Sequence, residues 1–146
     1  MSPARTAGAG RWIVKTEPSA YSWAELERDG RTAWDGVKNA QALIHLRAMR
    51  EGDQVLVYHS GSDKAPVGVA RVVRGPYPDP GADDPKLVAV DLAADRPLDR
   101  PVPLAEIKRS GKFADLALVR HGRLSVMPVS AVHWKGLLNL AGQGAA

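Results

Sequence analysis

The sequence contains no cysteine, which excludes disulfides, thiolate catalysis and cysteine-ligated zinc together. No apolar run approaches the roughly 20 residues that a membrane-spanning helix needs, so no membrane association is expected. The two common phosphate-cradling loops, G-x-x-x-x-G-K-[ST] and G-x-G-x-x-G, are also absent, since Ser110-Gly111-Lys112 lacks the upstream glycine. The four histidines, His45, His59, His121 and His133, share no metal-ligand spacing. Surface or packing positions are expected for them, with no metal and no cofactor. His59-Ser60 invites a hydrolase reading, but neighbours on an unbroken strand point to opposite faces and cannot form a nucleophile–base dyad. A remote Ser125 or Glu17 could still partner His59, but nothing in the sequence specifies such a pair. No repeat and no compositional shift divides the chain.

What is present is ordinary for one globular domain. The chain has 146 residues, 45% hydrophobic and 25% charged, enough to bury a core without staples. It carries 20 Lys and Arg against 16 Asp and Glu, a formal net charge of +4. That mild excess suits contact with phosphates. Residues 1–10 are small and lack the hydrophobic segment of a signal peptide, so a disordered tail is expected there, followed by one domain over 11–142 and a short tail over 143–146. A cytoplasmic monomer is the default expectation.

Residues 11–16 read as a buried strand, with Trp12, Ile13 and Val14 as β-formers and Pro18 as the stop. Lys15 and Glu17 share a side if the strand reaches that far. Ser22 and Glu25 then form a capping box, with Tyr21 and Leu26 at the staple positions and Asp29-Gly30 as the end of a short helix. A second helix follows from the spacing of Ala42, Leu43, Leu46 and Met49. From Gln54 the period changes to two. Strands are expected over 54–60, 67–73, 86–92 and 123–128, with a proline-rich acidic loop over 75–85. A brief helix over 104–108, a segment over 116–119 and a helix capped by Ser130 complete the order. Without βαβ alternation, an α+β arrangement with a curved mixed sheet or small barrel is favoured over a doubly wound sheet.

Two stretches carry chemistry. Trp34-Asp35-Gly36-Val37-Lys38-Asn39-Ala40-Gln41 gathers an aromatic, an acid, a glycine, a base and two amides. Trp34 would supply a stacking face, and Asn39 and Gln41 carry donors and acceptors that can read a nucleobase edge. The same residues would equally serve as a core Trp beneath a helix start whose polar side chains are caps. The second stretch is basic: Lys108, Arg109, Lys112, Arg120 and Arg123 outnumber Glu106 and Asp115, and with Lys38 could contact a phosphate backbone or form a solvated face.

Several separated segments together resemble one family. Trp12-Ile13-Val14-Lys15-Thr16-Glu17-Pro18, Tyr21-Ser22, Trp34-Asp35-Gly36-Val37-Lys38-Asn39, Tyr58-His59-Ser60 and Arg123-Leu124-Ser125-Val126 with Pro128 look like the signature segments of the EVE domain, in order over residues 11–140. Leu46-Arg47-Ala48-Met49 and Tyr77-Pro78-Asp79 fit between them. The resemblance implies a PUA-like fold, a small twisted β-barrel of mixed strands decorated by short helices, akin to the YTH readers of methylated adenine in RNA. It also implies a pocket for a modified base, since eukaryotic relatives are linked to methylated or oxidised cytosine in DNA. Carried over by position, Trp34 becomes a pocket wall, Asn39 a polar reader, Lys15 and Glu17 edge groups, Tyr58, His59 and Ser60 a second wall, and Leu124 with Ser125 the floor. The sequence departs from the family pattern after Asn39, where Ala40 and Leu43 stand in place of a tyrosine and an arginine.

The expected function is therefore a non-catalytic module binding a methylated or oxidised base in DNA or RNA. The alternatives are a sensor or adaptor for a small nucleoside-like ligand, and an enzyme acting on a modified base.

Overall fold

The structure, a computed structural model, describes residues 10–142. Residues 1–9 of the tail expected over 1–10, and the tail expected over 143–146, lie outside the described residues. Gly10, assigned above to the first tail, is described, and its carbonyl accepts a hydrogen bond from the Gln54 amide at 2.8 Å.

The described residues form eleven elements in chain order: β1 (Arg11–Thr16), α1 (Trp23–Asp29), β2 (Arg31–Trp34), α2 (Ala40–Ala48), β3 (Gln54–His59), β4 (Ala65–Pro78), β5 (Val88–Pro97), α3 (Leu104–Arg109), α4 (Ala117–Arg120), β6 (Val126–Pro128) and α5 (Ala131–Leu140). The strands form one mixed sheet in the order β2-β5-β4-β3-β1-β6. β1 and β3 are parallel, and the other pairs are antiparallel.

The period-two pattern sorts side chains onto the two faces. Trp12, Val14, Val55, Val57, Ala70 and Val72 join one cluster with Trp23 and Leu26 of α1 and Leu43 and Leu46 of α2. Ile13, Leu56, Tyr58 and Val69, one residue out of phase, join a second cluster under α3, α4 and α5 with Phe113 and Trp134. Because successive side chains on a strand face opposite ways, both faces are covered and the central strands β1, β3 and β4 carry nearly continuous apolar runs. Removing a fully buried side chain such as Leu46 would cost about 2–5 kcal/mol.

The expected barrel is instead an open sheet. Closure would require β2 to pair with β6, but these elements have only four and three residues and end the strand order. The sheet curls so that α2 touches both β5 and β6, near its opposite ends. Leu43 and Leu46 thus fill the seam that strand pairing would otherwise close.

Local signals hold where they are short-range. Ser22 Oγ accepts from the Glu25 amide at 3.1 Å, and the Glu25 carboxylate accepts from the Ser22 amide at 2.9 Å, closing the capping box. Ser130 Oγ caps α5 by accepting from the His133 amide at 3.1 Å, without the reciprocal bond. Other boundaries move. β2 has no counterpart in the sequence reading, and β5 continues five residues past Leu92 because Arg31 of β2 and Gly68, Val69, Ala70 and Arg71 of β4 pair along the extension. β4 runs into the proline-rich stretch as far as Pro78, through register shifts where a strand can lose a ladder donor to proline. β6 is shorter than expected, since residues 121–125 form a turn in which the Leu124 amide donates to the His121 carbonyl.

Candidate functional site

A cavity of about 580 Å³ opens at the unclosed seam of the sheet. Its walls come from the end of β1 (Lys15, Thr16) and Glu17 just beyond it, from Tyr21 before α1, from Thr32, Ala33 and Trp34 of β2, from residues 35–38 leading to α2, and from Ser125 before β6. The size falls within the roughly 300–1,000 Å³ common for small-ligand sites.

Trp34 has two roles. Its side chain is 9% exposed and belongs to the first core cluster, while its remaining edge borders the cavity. Tyr21 holds it edge-on, with ring centroids 6.5 Å apart and planes at 83°, a favourable quadrupolar arrangement. The Tyr21 hydroxyl donates to Asp29 Oδ2 at 2.8 Å; burial, reinforced by this bond, raises its pKa. The loop after Trp34 is braced from beneath, as buried Asp79 accepts from the Gly36 amide and the Gly81 amide, both at 2.9 Å. Gly36 sits at φ +72°, a left-handed conformation that glycine adopts without a Cβ penalty.

The polar wall mixes charges. Lys15 is half-buried, and burial lowers its pKa. Its Nζ donates to the Gly122 carbonyl at 2.8 Å and stands 5.4 Å from the Tyr58 ring centroid. An ammonium has three donors, so Lys15 retains hydrogen-bonding capacity toward the cavity. Glu17 Oε1 has only long contacts, 3.4 Å, with the amide and hydroxyl of Ser19. Its other oxygen lies against Gly61, where an added Cβ would approach to 2.3 Å. Lys38 and Asp35 complete a wall of two cations and two carboxylates.

Of the residues expected at the site, Lys15, Glu17, Trp34, Lys38 and Ser125 come together in this cavity. Asn39 and Leu124 line a second cavity of about 510 Å³, with Gln41, His45, Ala117, His121, Arg123 and Pro128. Asn39 is the N-cap of α2, its Oδ1 accepting from the Ala42 amide at 2.9 Å. Tyr58 is buried in the second cluster under Lys15. His59 Nε2 accepts from the Trp23 amide at 2.9 Å, which puts the ring proton on Nδ1, 3.1 Å from Asp63 Oδ2. Ser60 donates its amide to the Thr16 carbonyl at 2.9 Å. These three residues support the end of β1 and the start of α1 and do not line the cavity. Lys108 and Arg109 lie on α3 and Lys112 just beyond it, over the other face of the sheet. Arg120 closes α4, and none of these four lines either cavity. Ala40 opens α2 at the surface and Leu43 is buried in the core, so the two departures from the family pattern line neither cavity.

Sequence reasoning gave no ligand role to Thr16, Tyr21, Thr32 and Ala33. Asp35, Gly36 and Val37 stand inside the mixed stretch beginning at Trp34 that it did single out. Thr32 and Ala33 depend on β2, which has no sequence signature of its own.

An open mixed sheet plugged by short helices, with a ligand-sized cavity at its seam, is a PUA-like α+β domain. The family model of the EVE domain matches residues 10–140, and the chain belongs to the EVE domain family. Thymocyte nuclear protein 1 of Danio rerio is 30% identical over 164 residues, covering 89% of this chain and 71% of that protein. A protein of Rhodopseudomonas palustris solved by NMR is 44% identical with a TM-score of 0.87, over 91% of this chain and 93% of that one. The human THYN1 protein, solved in complex with 5-methylcytosine-containing DNA, is 28% identical with a TM-score of 0.82, over 90% and 96%.

Proposed function

We propose that this chain is a non-catalytic module that takes a modified base of DNA, in the first instance a methylated cytosine, into the seam cavity. The observation that carries this reading is the wall itself, which sets the edge of Trp34 and the apolar Ala33 and Val37 beside Lys15, Lys38, Glu17 and Asp35. The likeness to a human protein solved with 5-methylcytosine-containing DNA supports it.

The chemistry matches in both parts. Cytosine presents an exocyclic amine that donates and ring atoms that accept, and a carboxylate suits the first as an ammonium suits the second. Glu17 and Lys15, two apart at the end of β1, are the groups for these roles. Extruding a nucleotide costs a few kcal/mol, and a full stack on an aromatic face would return ~1–3 kcal/mol, of which the largely buried Trp34 offers only a part. Edge hydrogen bonds and backbone contacts therefore supply the net affinity. A 5-methyl group against the apolar wall adds about 0.8 kcal/mol, roughly fourfold in affinity. His59, the histidine weighed above for a nucleophile–base dyad, has its Nε2 held by the Trp23 amide and does not reach the cavity.

The test is a fluorescence-anisotropy titration of labelled strands carrying one central cytosine or 5-methylcytosine, at two salt concentrations, with Glu17→Gln and Lys15→Met alongside the parent protein. The expected result is a few-fold preference for the methylated strand, lost in both variants, with affinity falling as salt rises. Equal binding of both strands by all three proteins would refute it.

A further inference from the structure

The second cavity is left unused by that reading. It adjoins the first across a ridge one residue thick in two places: Lys38 faces the first cavity and Asn39 the second, while Ser125 faces the first and Leu124 the second. The turn that forms its rim is pinned to the first cavity's wall, because Lys15 Nζ donates to the Gly122 carbonyl and the Lys15 amide to the Ser125 carbonyl, at 2.8 and 2.9 Å.

Its chemistry differs from its neighbour's. Among the described residues, no carboxylate lines it. Arg123 is exposed, with no carboxylate partner among the described residues, and His121 beside it is exposed as well. Asn39 turns its Oδ1 to the helix cap and keeps both amide N–H donors for a ligand. The floor is apolar, made of Leu124, Ala117 and Pro128. A rim of donors over an apolar floor suits an anionic group joined to a flat or apolar body.

We propose that the second cavity holds the nucleotide adjoining the one in the seam cavity, with its phosphodiester against Arg123, His121 and the Asn39 amide and its sugar and base over Leu124 and Pro128. This rests on the reading of the seam cavity given above. The ridge then separates two consecutive nucleotides, and the Lys15 contact to Gly122 fixes the distance between their sites.

The test is calorimetric titration of the full chain with the free nucleoside 5-methyl-2′-deoxycytidine, and with trinucleotides carrying cytosine or 5-methylcytosine at the centre. The variants are Arg123→Gln and Asn39→Asp, the latter keeping a capping oxygen while placing a carboxylate at the rim. Each variant is expected to weaken the trinucleotides about tenfold, equally for both central bases, and to leave the nucleoside unchanged. Arg123→Gln is also expected to lower the log–log salt slope by about 0.7. Parent-like trinucleotide binding by both variants would overturn the proposal. If the two trinucleotides bind alike, base reading in the seam cavity fails, while a loss in Arg123→Gln common to both still supports the second cavity. If no trinucleotide binds, both readings fall.

Discussion

Asn39 separates a structural role from a recognition role by chemistry alone. Its side chain is exposed, so substitution leaves no cavity in the core, and the bond from the Ala42 amide to Oδ1 at 2.9 Å is what Asn39→Ala removes. Losing an N-cap costs about 1 kcal/mol. The cost should appear in full in global unfolding, because α2 cannot fray independently while Leu43 and Leu46 plug the seam at 4% and 0% exposure. For a chain of this size that corresponds to a Tm lower by about 3 °C. Asn39→Asp keeps an equivalent cap and puts a negative charge at a helix start with no acidic residue in its first turn, which is favourable by ~0.3–1 kcal/mol. The expected order of stability in urea unfolding followed by circular dichroism is Asp at or above the parent, and Ala below, with the slope unchanged. Aspartate as unstable as alanine, or alanine within a few tenths of a kcal/mol of the parent, would refute the assignment of Asn39 as the cap.

Trp34→Ala should cost about 3–5 kcal/mol because the ring is core, so loss of ligand binding in that variant must be read against its unfolding curve; Trp34→Phe should stay folded and lose only part of the affinity. Gly68→Ala would bring a Cβ within 2.4 Å of the buried Trp23 ring, and overpacking of this kind costs about 1–3 kcal/mol, visible as a lower denaturant midpoint. Tyr77 is pushed up to about 12 by burial and then by its bond to Asp91. Its folded value lies above its unfolded one, so its contribution is complete below pH 10 and declines as pH approaches about 12. Tyr77→Phe should remove that alkaline decline in chemical-denaturation stability. Asp91 runs the opposite way: burial opposes its ionisation, but the Tyr77 hydroxyl and Arg31 outweigh it and lower its pKa. Its contribution is lost as pH falls below the ordinary value of 3.8.

Much of the site was legible because it is nearly contiguous. Trp34 and Lys38 fall in one eight-residue stretch, and Lys15 with Glu17 in another, so β1 and the loop before α2 had only to meet. Tyr58, His59 and Ser60 stand beside the site and support it from behind. Their residue types suggest recognition, yet His59 caps the first turn of α1 and Tyr58 is core. A residue type does not reveal which of its hydrogen bonds the backbone has already taken.

The sequence by itself determined what acts within a few residues: the caps at Ser22 and Ser130, the alternation that sends Val14 to one face of the sheet and Ile13 to the other, and the ordered segments of the EVE domain family. Tertiary structure alone decided that β2 is a strand, that the sheet stays open with α2 in its seam, and that Lys38 and Asn39, like Leu124 and Ser125, look into different cavities. The physical reason is range. A cap or a pleat is specified by bonds that span up to about four residues, whereas a cavity wall is specified by which distant segments the packed sheet leaves facing one another.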